Sequence, residues 1–251
     1  MAKRPLLQMT TFRSGSTPIH LLLSGYLEQT QGITSLDAFF DLWEYGYRET
    51  HGAIQIVRPR EPKLGPKLFM KMPLRSPKTI DARAGLLKKY YRNYFIKSHP
   101  LDGPTMDWLM ETHDFIFTER QDLPSQIVSY LISCAYGRWY QKRGLFPLAD
   151  SLTARREWFS ELEVSLGKYF ALKAFLPSAP VITYEDFCKE TPTALLSRAG
   201  LRRPWSPRKI TLPSKQNRDD FTSNLEVLRN RKMVRTWYRD SFLQDLRPWP
   251  L

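Results

Sequence analysis

Five consecutive residues, Arg13, Ser14, Gly15, Ser16 and Thr17, combine one guanidinium, three hydroxyls and a glycine just before Pro18 and the apolar run "IHLLL". These are the parts of an anion site. Arg13 supplies a charged fork that bonds an oxyanion twice. The hydroxyls add donors, and Gly15 permits unusual backbone angles and close approach. Read alone, the stretch fits an ordinary strand-to-helix turn equally well. A nucleotide triphosphatase loop would read G-x-x-x-x-G-K-[ST], and no lysine follows Gly15. His99, at the end of "NYFIKSH", carries an imidazole suited to taking a proton from a hydroxyl, although its position also fits a structural or solvent-facing histidine. Lys97 lies two residues earlier on the same strand face, so it either points into a cleft or covers a sheet edge.

These residues need elements to hold them. "LQMTTF" at 7–12 reads as a short strand, and 18–29 as a helix with Thr17 as its cap and Pro18 in its first turn. Residues 35–47 show the period of an amphipathic helix, with Ser35 as cap and Asp37 in the first turn. "NYFIKSH" at 93–99, "HDFIFTER" at 113–120 and "PVITYED" at 180–186 read as buried strands. Helices are expected from Pro124 to about Arg138, over 153–175, and through "CKETPTALLSRAGL" to Gly200. Glu185 and Asp186 would cap that last helix. Strands alternating with helices predict an α/β fold, P-loop-like in its three layers, with a central parallel sheet of four or five strands and right-handed crossovers.

The chain of 251 residues fits a single domain with a substantial core, 42% of it hydrophobic. From Arg58 to Lys78, five prolines and seven cations face one acid, Glu61, so a long basic loop is expected there. Lys and Arg exceed Asp and Glu by 38 to 25, a formal charge of +13, which calls for an anionic ligand, a nucleic acid or an acidic surface. Cys134 and Cys188 have no CxxC spacing and read as buried free thiols. His20 reads as a packed side chain. His20, His51 and His113 show no metal-ligand spacing, so no metal is expected. Trp139, Tyr140, Trp158 and Phe159 fit a core or a substrate wall. No run approaches the ~20 apolar residues of a membrane span, and "MAKRPLLQMTTF" lacks the apolar core of a signal peptide, so a soluble, cytoplasmic protein is expected.

Four stretches taken in order, "RSGST", "FIKSHP" at 95–100, "TERQDLPSQIVS" at 118–129 and "ITYEDF" at 182–187, resemble the sulfotransferases that use 3'-phosphoadenosine 5'-phosphosulfate (PAPS). The R-S-G-S-T form is similar to the carbohydrate and bacterial glycolipid branch, and "KSH" resembles a K-T-H segment of the cytosolic branch. The resemblance runs from about residue 8 to 230, more loosely at "PSKQNRDDFTSNLEVL". It implies that Arg13, Ser14, Gly15, Ser16 and Thr17 bind the 5'-phosphosulfate and that Arg120 and Ser129 bind the 3'-phosphate. It further implies His99 as base, assisted by Arg13 and Lys97, with Lys215 closing over the phosphates. The chain departs from the family in an arginine-to-serine spacing of nine positions rather than eight, with Gln121 at the usual arginine position. Glu44 and Glu49 are reserve bases, since the carbohydrate branch often uses a glutamate. The implied reaction moves a sulfonate from PAPS to an acceptor hydroxyl on a carbohydrate, glycolipid or other hydroxylated small molecule, leaving PAP, without a metal. A P-loop kinase is the first alternative. A basic module for nucleic acid or polyanions is the second, although no nucleic acid is expected.

Overall fold

The computed structural model describes residues 4–36, 40, 46–50, 53–57, 80–90, 93–136, 149–202 and 221–249. Its main sheet contains β1 (Leu6–Thr10), β2 (Thr34–Leu36), β5 (Tyr94–Ser98), β6 (Asp114–Glu119) and β7 (Val181–Thr183) in the order β2-β5-β1-β6-β7. The sheet is parallel, and helices flank it, as the alternation of buried strands with helical periods predicts. A separate antiparallel pair joins β3 (Gly46–Thr50) and β4 (Ala53–Val57). The helices are α1 (Ser16–Gln31), α2 (Ile80–Tyr90), α3 (Pro104–Thr112), α4 (Leu123–Tyr136) and α5 (Arg156–Phe175), followed by α6 (Tyr184–Lys189), α7 (Pro192–Arg198), α8 (Phe221–Val227), α9 (Arg231–Arg239) and α10 (Leu243–Leu246).

The chain divides into two compact units, one of residues 1–9 and 23–116 and one of 10–22 and 117–251. In the first, β5 is paired on both sides, with Met9 of β1 beside Ser98 and Leu36 of β2 beside Ile96. Every residue of β5 is buried, and its opening Tyr94, Phe95 and Ile96 are the aromatic and β-branched types that suit a strand covered on both faces. His113 closes this unit's core: Tyr94 Oη and His113 Nε2 are 2.8 Å apart, Thr112 Oγ1 lies 2.9 Å from Nδ1, and the Trp108 ring meets the imidazole edge-on at 5.1 Å.

In the second unit, β6 pairs with β7 from Phe117↔Val181 to Glu119↔Thr183. Its core joins α4, α5 and the C-terminal helices through Ile127, Leu131, Leu162, Leu166, Val234 and Tyr238, all at most 1% exposed. Phe159 belongs to that core and Trp158 packs against it. Asn230 ties the C-terminal helices to the start of α5, accepting from Ala154 N–H at 3.0 Å and donating to Ala154 C=O at 2.9 Å.

Several boundaries differ from the sequence reading. The helix expected over 35–47 does not begin at Ser35: Thr34–Leu36 is a strand, and Gly46 and Tyr47 open another. Leu36 is buried at the sheet, and Ser35 Oγ lies 2.6 Å from Ser24 Oγ instead of capping a helix, so sheet pairing overrides the helical period. The first helix begins at Ser16 rather than Pro18, which places Thr17 inside its first turn and not at its cap. The strand "PVITYED" stops at Thr183, because the Thr183 hydroxyl accepts from Asp186 N–H and the Asp186 carboxylate accepts from Thr183 N–H, closing a capping box that starts α6. The single helix expected after it is two, since Thr191 and Pro192 begin α7 afresh. Cys134 and Cys188 are half-buried rather than buried. The basic loop at 58–78, Glu44, His51, Trp139, Tyr140 and Lys215 lie outside the described residues.

Candidate functional site: an anion turn at the start of α1

β1 holds the middle place in the sheet order, and the chain turns out of its carboxyl end at Thr11 to Gly15 before entering α1. Ligands of open α/β sheets bind outside the carboxyl ends of the strands where the strand order reverses. Here the two neighbours of β1 are β5 and β6, which follow one another in the chain.

The turn is built from two left-handed residues, Arg13 at φ 57° and Gly15 at φ 75°. For a glycine this costs little; for an arginine it needs outside support. The support comes from α4. Arg13 Nε donates to Ser129 Oγ at 3.0 Å, and Gln126, 1% exposed, donates through Nε2 to Thr11 Oγ1 at 2.8 Å and to the Phe12 carbonyl at 2.6 Å. Within the turn, Ser14 Oγ donates to the Thr11 carbonyl at 2.9 Å and lies 2.6 Å from Thr10 Oγ1. Ser14 is fully buried, and its hydroxyl holds the turn together.

Gly15 meets a second demand. A Cβ built on it would fall 2.2 Å from Tyr184 Cδ2 and 2.7 Å from Cγ, so the Tyr184 ring occupies the space that any other residue would fill. The Arg120 guanidinium lies over the same ring, with Cζ 5.5 Å from its centroid. Arg120 Nε is buried and has no hydrogen-bond partner among the described residues.

Charge separates the starts of α1 and α4. α1 has no acidic residue in its first turn, so the positive end of its dipole is not countered on the helix itself. α4 is different. Asp122 accepts from Ser125 N–H at 3.0 Å and from its hydroxyl at 2.5 Å, while Glu185 accepts from the backbone N–H of Gln121 and Asp122 at 3.0 and 3.3 Å. Asp186 therefore caps its own helix, whereas Glu185 serves the turn after β6.

Of the residues singled out in the sequence, Arg13 and Ser129 meet directly, and Gly15 and Arg120 meet through Tyr184. Ser16 and Thr17 form the first turn of α1. Lys97 and His99 belong to the other unit. Lys97 is 6% exposed on β5, register partner of Gln8, and since β5 has strands on both sides Lys97 covers no sheet edge. His99 is half-buried just past β5, and its carbonyl accepts from Ser98 Oγ at 2.7 Å. Glu49 lies in β3. Sequence reasoning missed Gln126 and Tyr184. The first is signalled only as a glutamine in the first turn of α4, and the second only by its nearness to the Thr183 cap.

No protein-family model matches the chain, and no curated protein matches it in sequence. Two solved structures are similar in part. A retinol dehydratase in complex with androsterone and the inactive cofactor PAP has a TM-score of 0.41 and 14% identity over 78% of this chain. A retinol dehydratase in complex with retinol and PAP has a TM-score of 0.38 and 14% identity over 99% of this chain. The chain spans 59% of the length of the first structure and 71% of the second.

Proposed function

We propose that this chain is a sulfotransferase that takes its sulfonate from PAPS and delivers it to a hydroxyl of a carbohydrate, glycolipid or other hydroxylated small molecule. One observation carries the reading. A left-handed Arg13, bonded to Ser129 and leading into a helix start without a carboxylate, forms a cationic turn whose parts match the phosphosulfate loop in the resemblance. The Arg120 guanidinium over the Tyr184 ring, which itself lies against Gly15, suits a second phosphate and the nucleotide that carries it.

PAPS supplies an activated sulfonate on a phosphate leaving group. In this mechanism Arg13 and the N–H groups of the turn hold the 5' end, and Arg120 and Ser129 the 3' end, with Lys215 over the phosphates. As the sulfur–oxygen bond to the donor breaks and the bond to the acceptor forms, Arg13 and Lys97 stabilise the charge growing on the leaving phosphate, and His99 accepts the hydroxyl proton. Positioning and fixed charge do most of this work.

The test is thermal unfolding with PAP beside AMP and beside ATP with magnesium. A ligand that binds only the folded state at a hundred times its Kd adds about 2.7 kcal/mol, roughly 5–10 °C for a chain of this size. PAP is expected to give that shift and AMP little; a shift with ATP and magnesium alone would overturn this reading in favour of the kinase alternative. His99→Ala is expected to abolish sulfonate transfer and keep the PAP shift, and Arg13→Ala to lose both.

A further inference from the structure

The C-terminal segment from Arg229 to Trp249 carries six cations and two acids, Asp240 and Asp245. Its inner side is fixed: Val234, Tyr238 and Leu243 are fully buried, and the Tyr238 hydroxyl donates to the Leu243 carbonyl at 3.2 Å and to the Arg247 carbonyl. The rest of α9 is presented outward. Lys232, Arg235 and Arg239 recur at three and four residues, so they share one exposed flank. Lys232 and Arg235 have no ion-pair partner among the described residues, in contrast to Arg231, which pairs with Asp150.

Large apolar side chains stand exposed on the same short segment: Met233 at 55%, Phe242 at 43% and Leu246 at 39%. Met233 lies one turn before Trp237, whose ring sits 6.1 Å from Phe159 on α5. Phe242 also reaches α5, where a Cβ on Gly167 would be 3.6 Å from its ring. Exposed cations on one flank and exposed apolar groups beside them are the pattern of a helix that lies in a membrane interface.

We propose that the outer face of α9 and α10 docks on an anionic lipid surface. Lys232, Arg235 and Arg239 would meet lipid phosphates and carboxylates, and Met233, Phe242 and Leu246 would enter the boundary between headgroups and acyl chains. A polyanion such as nucleic acid would satisfy the cations but would leave three apolar side chains in water, so lipid is the better match. No helix among the described residues is long and apolar enough to cross a membrane, so the contact proposed is peripheral. This surface does not depend on the nucleotide reading.

Flotation of the full chain with phosphatidylcholine vesicles, with and without phosphatidylserine, tests it. Binding is expected only with phosphatidylserine and is expected to weaken as salt rises. Lys232→Gln with Arg235→Gln should lower the partition on the order of 30-fold. Met233→Ser should lower it several-fold without changing the salt dependence. All three positions are exposed, so unchanged melting serves as the control for folding. No binding to phosphatidylserine vesicles, equal binding to pure phosphatidylcholine, or binding that both variants retain would overturn the proposal. Oligonucleotide binding that needs Lys232 and Arg235, ignores Met233 and occurs without vesicle binding would overturn it in favour of nucleic acid.

Discussion

Gly15 has two independent reasons to be glycine: a φ of 75° and a tyrosine ring where a side chain would begin. Gly15→Ala is expected to cost roughly 1–3 kcal/mol in stability, because the backbone strain adds to a clash that Tyr184 relieves only by moving. If the turn holds the nucleotide as proposed, the same change should remove most of the stabilisation by PAP. Thermal unfolding of wild type and variant, with and without PAP, reads both effects. Arg13 was readable as a cation in a turn, but its left-handed backbone was not. That depends on Gln126, which holds the carbonyl of a residue 114 positions away. No local pattern announces a side-chain-to-backbone bond of that span.

Among the elements, the longer strands of the main sheet were the most legible, because the aromatic and β-branched runs at 94–96 and 115–117 leave a compact apolar signature. The short ones were not. Thr34–Leu36 lies inside a stretch whose apolar spacing also fits a helix, and pairing with β5 decides between the two. At Thr183 the cap signal was present, three residues before Asp186, yet the apolar and aromatic "VITY" suggested a longer strand. Thr183→Ala should therefore cost about 1 kcal/mol by removing the hydroxyl that accepts from Asp186 N–H. Chemical denaturation checks that value, with an unchanged m-value expected. Because Tyr184 follows directly and its ring lies on Gly15, the variant should also weaken PAP binding modestly, an effect that a merely local cap would lack.

At the scale of the molecule, His113 ties global stability to pH. Burial, the largest cause, together with the charge of Arg4 holds its imidazole down at about 4, against about 6.5 in the unfolded chain. The unfolded state therefore binds the extra proton first as pH falls. The neutral histidine's contribution is complete above about pH 6.5 and is lost between there and pH 4, on the order of 2–3 kcal/mol. Urea unfolding from pH 7 to 4 should show that decline. His113→Phe should flatten it while lowering stability at pH 7 by about 1–2 kcal/mol, because the Tyr94 hydroxyl loses its partner. Beyond pH, the order of the main sheet bears on how the protein behaves in crowded solution. Both outermost strands, β2 and β7, are three residues long. A strand's open side is a template on which another chain can add itself, and a template of three residues offers too few free hydrogen-bonding groups to hold an intruder. The sheet thus ends in borders that discourage runaway stacking between copies, and a substitution lengthening either border would be the place to look for fibrils.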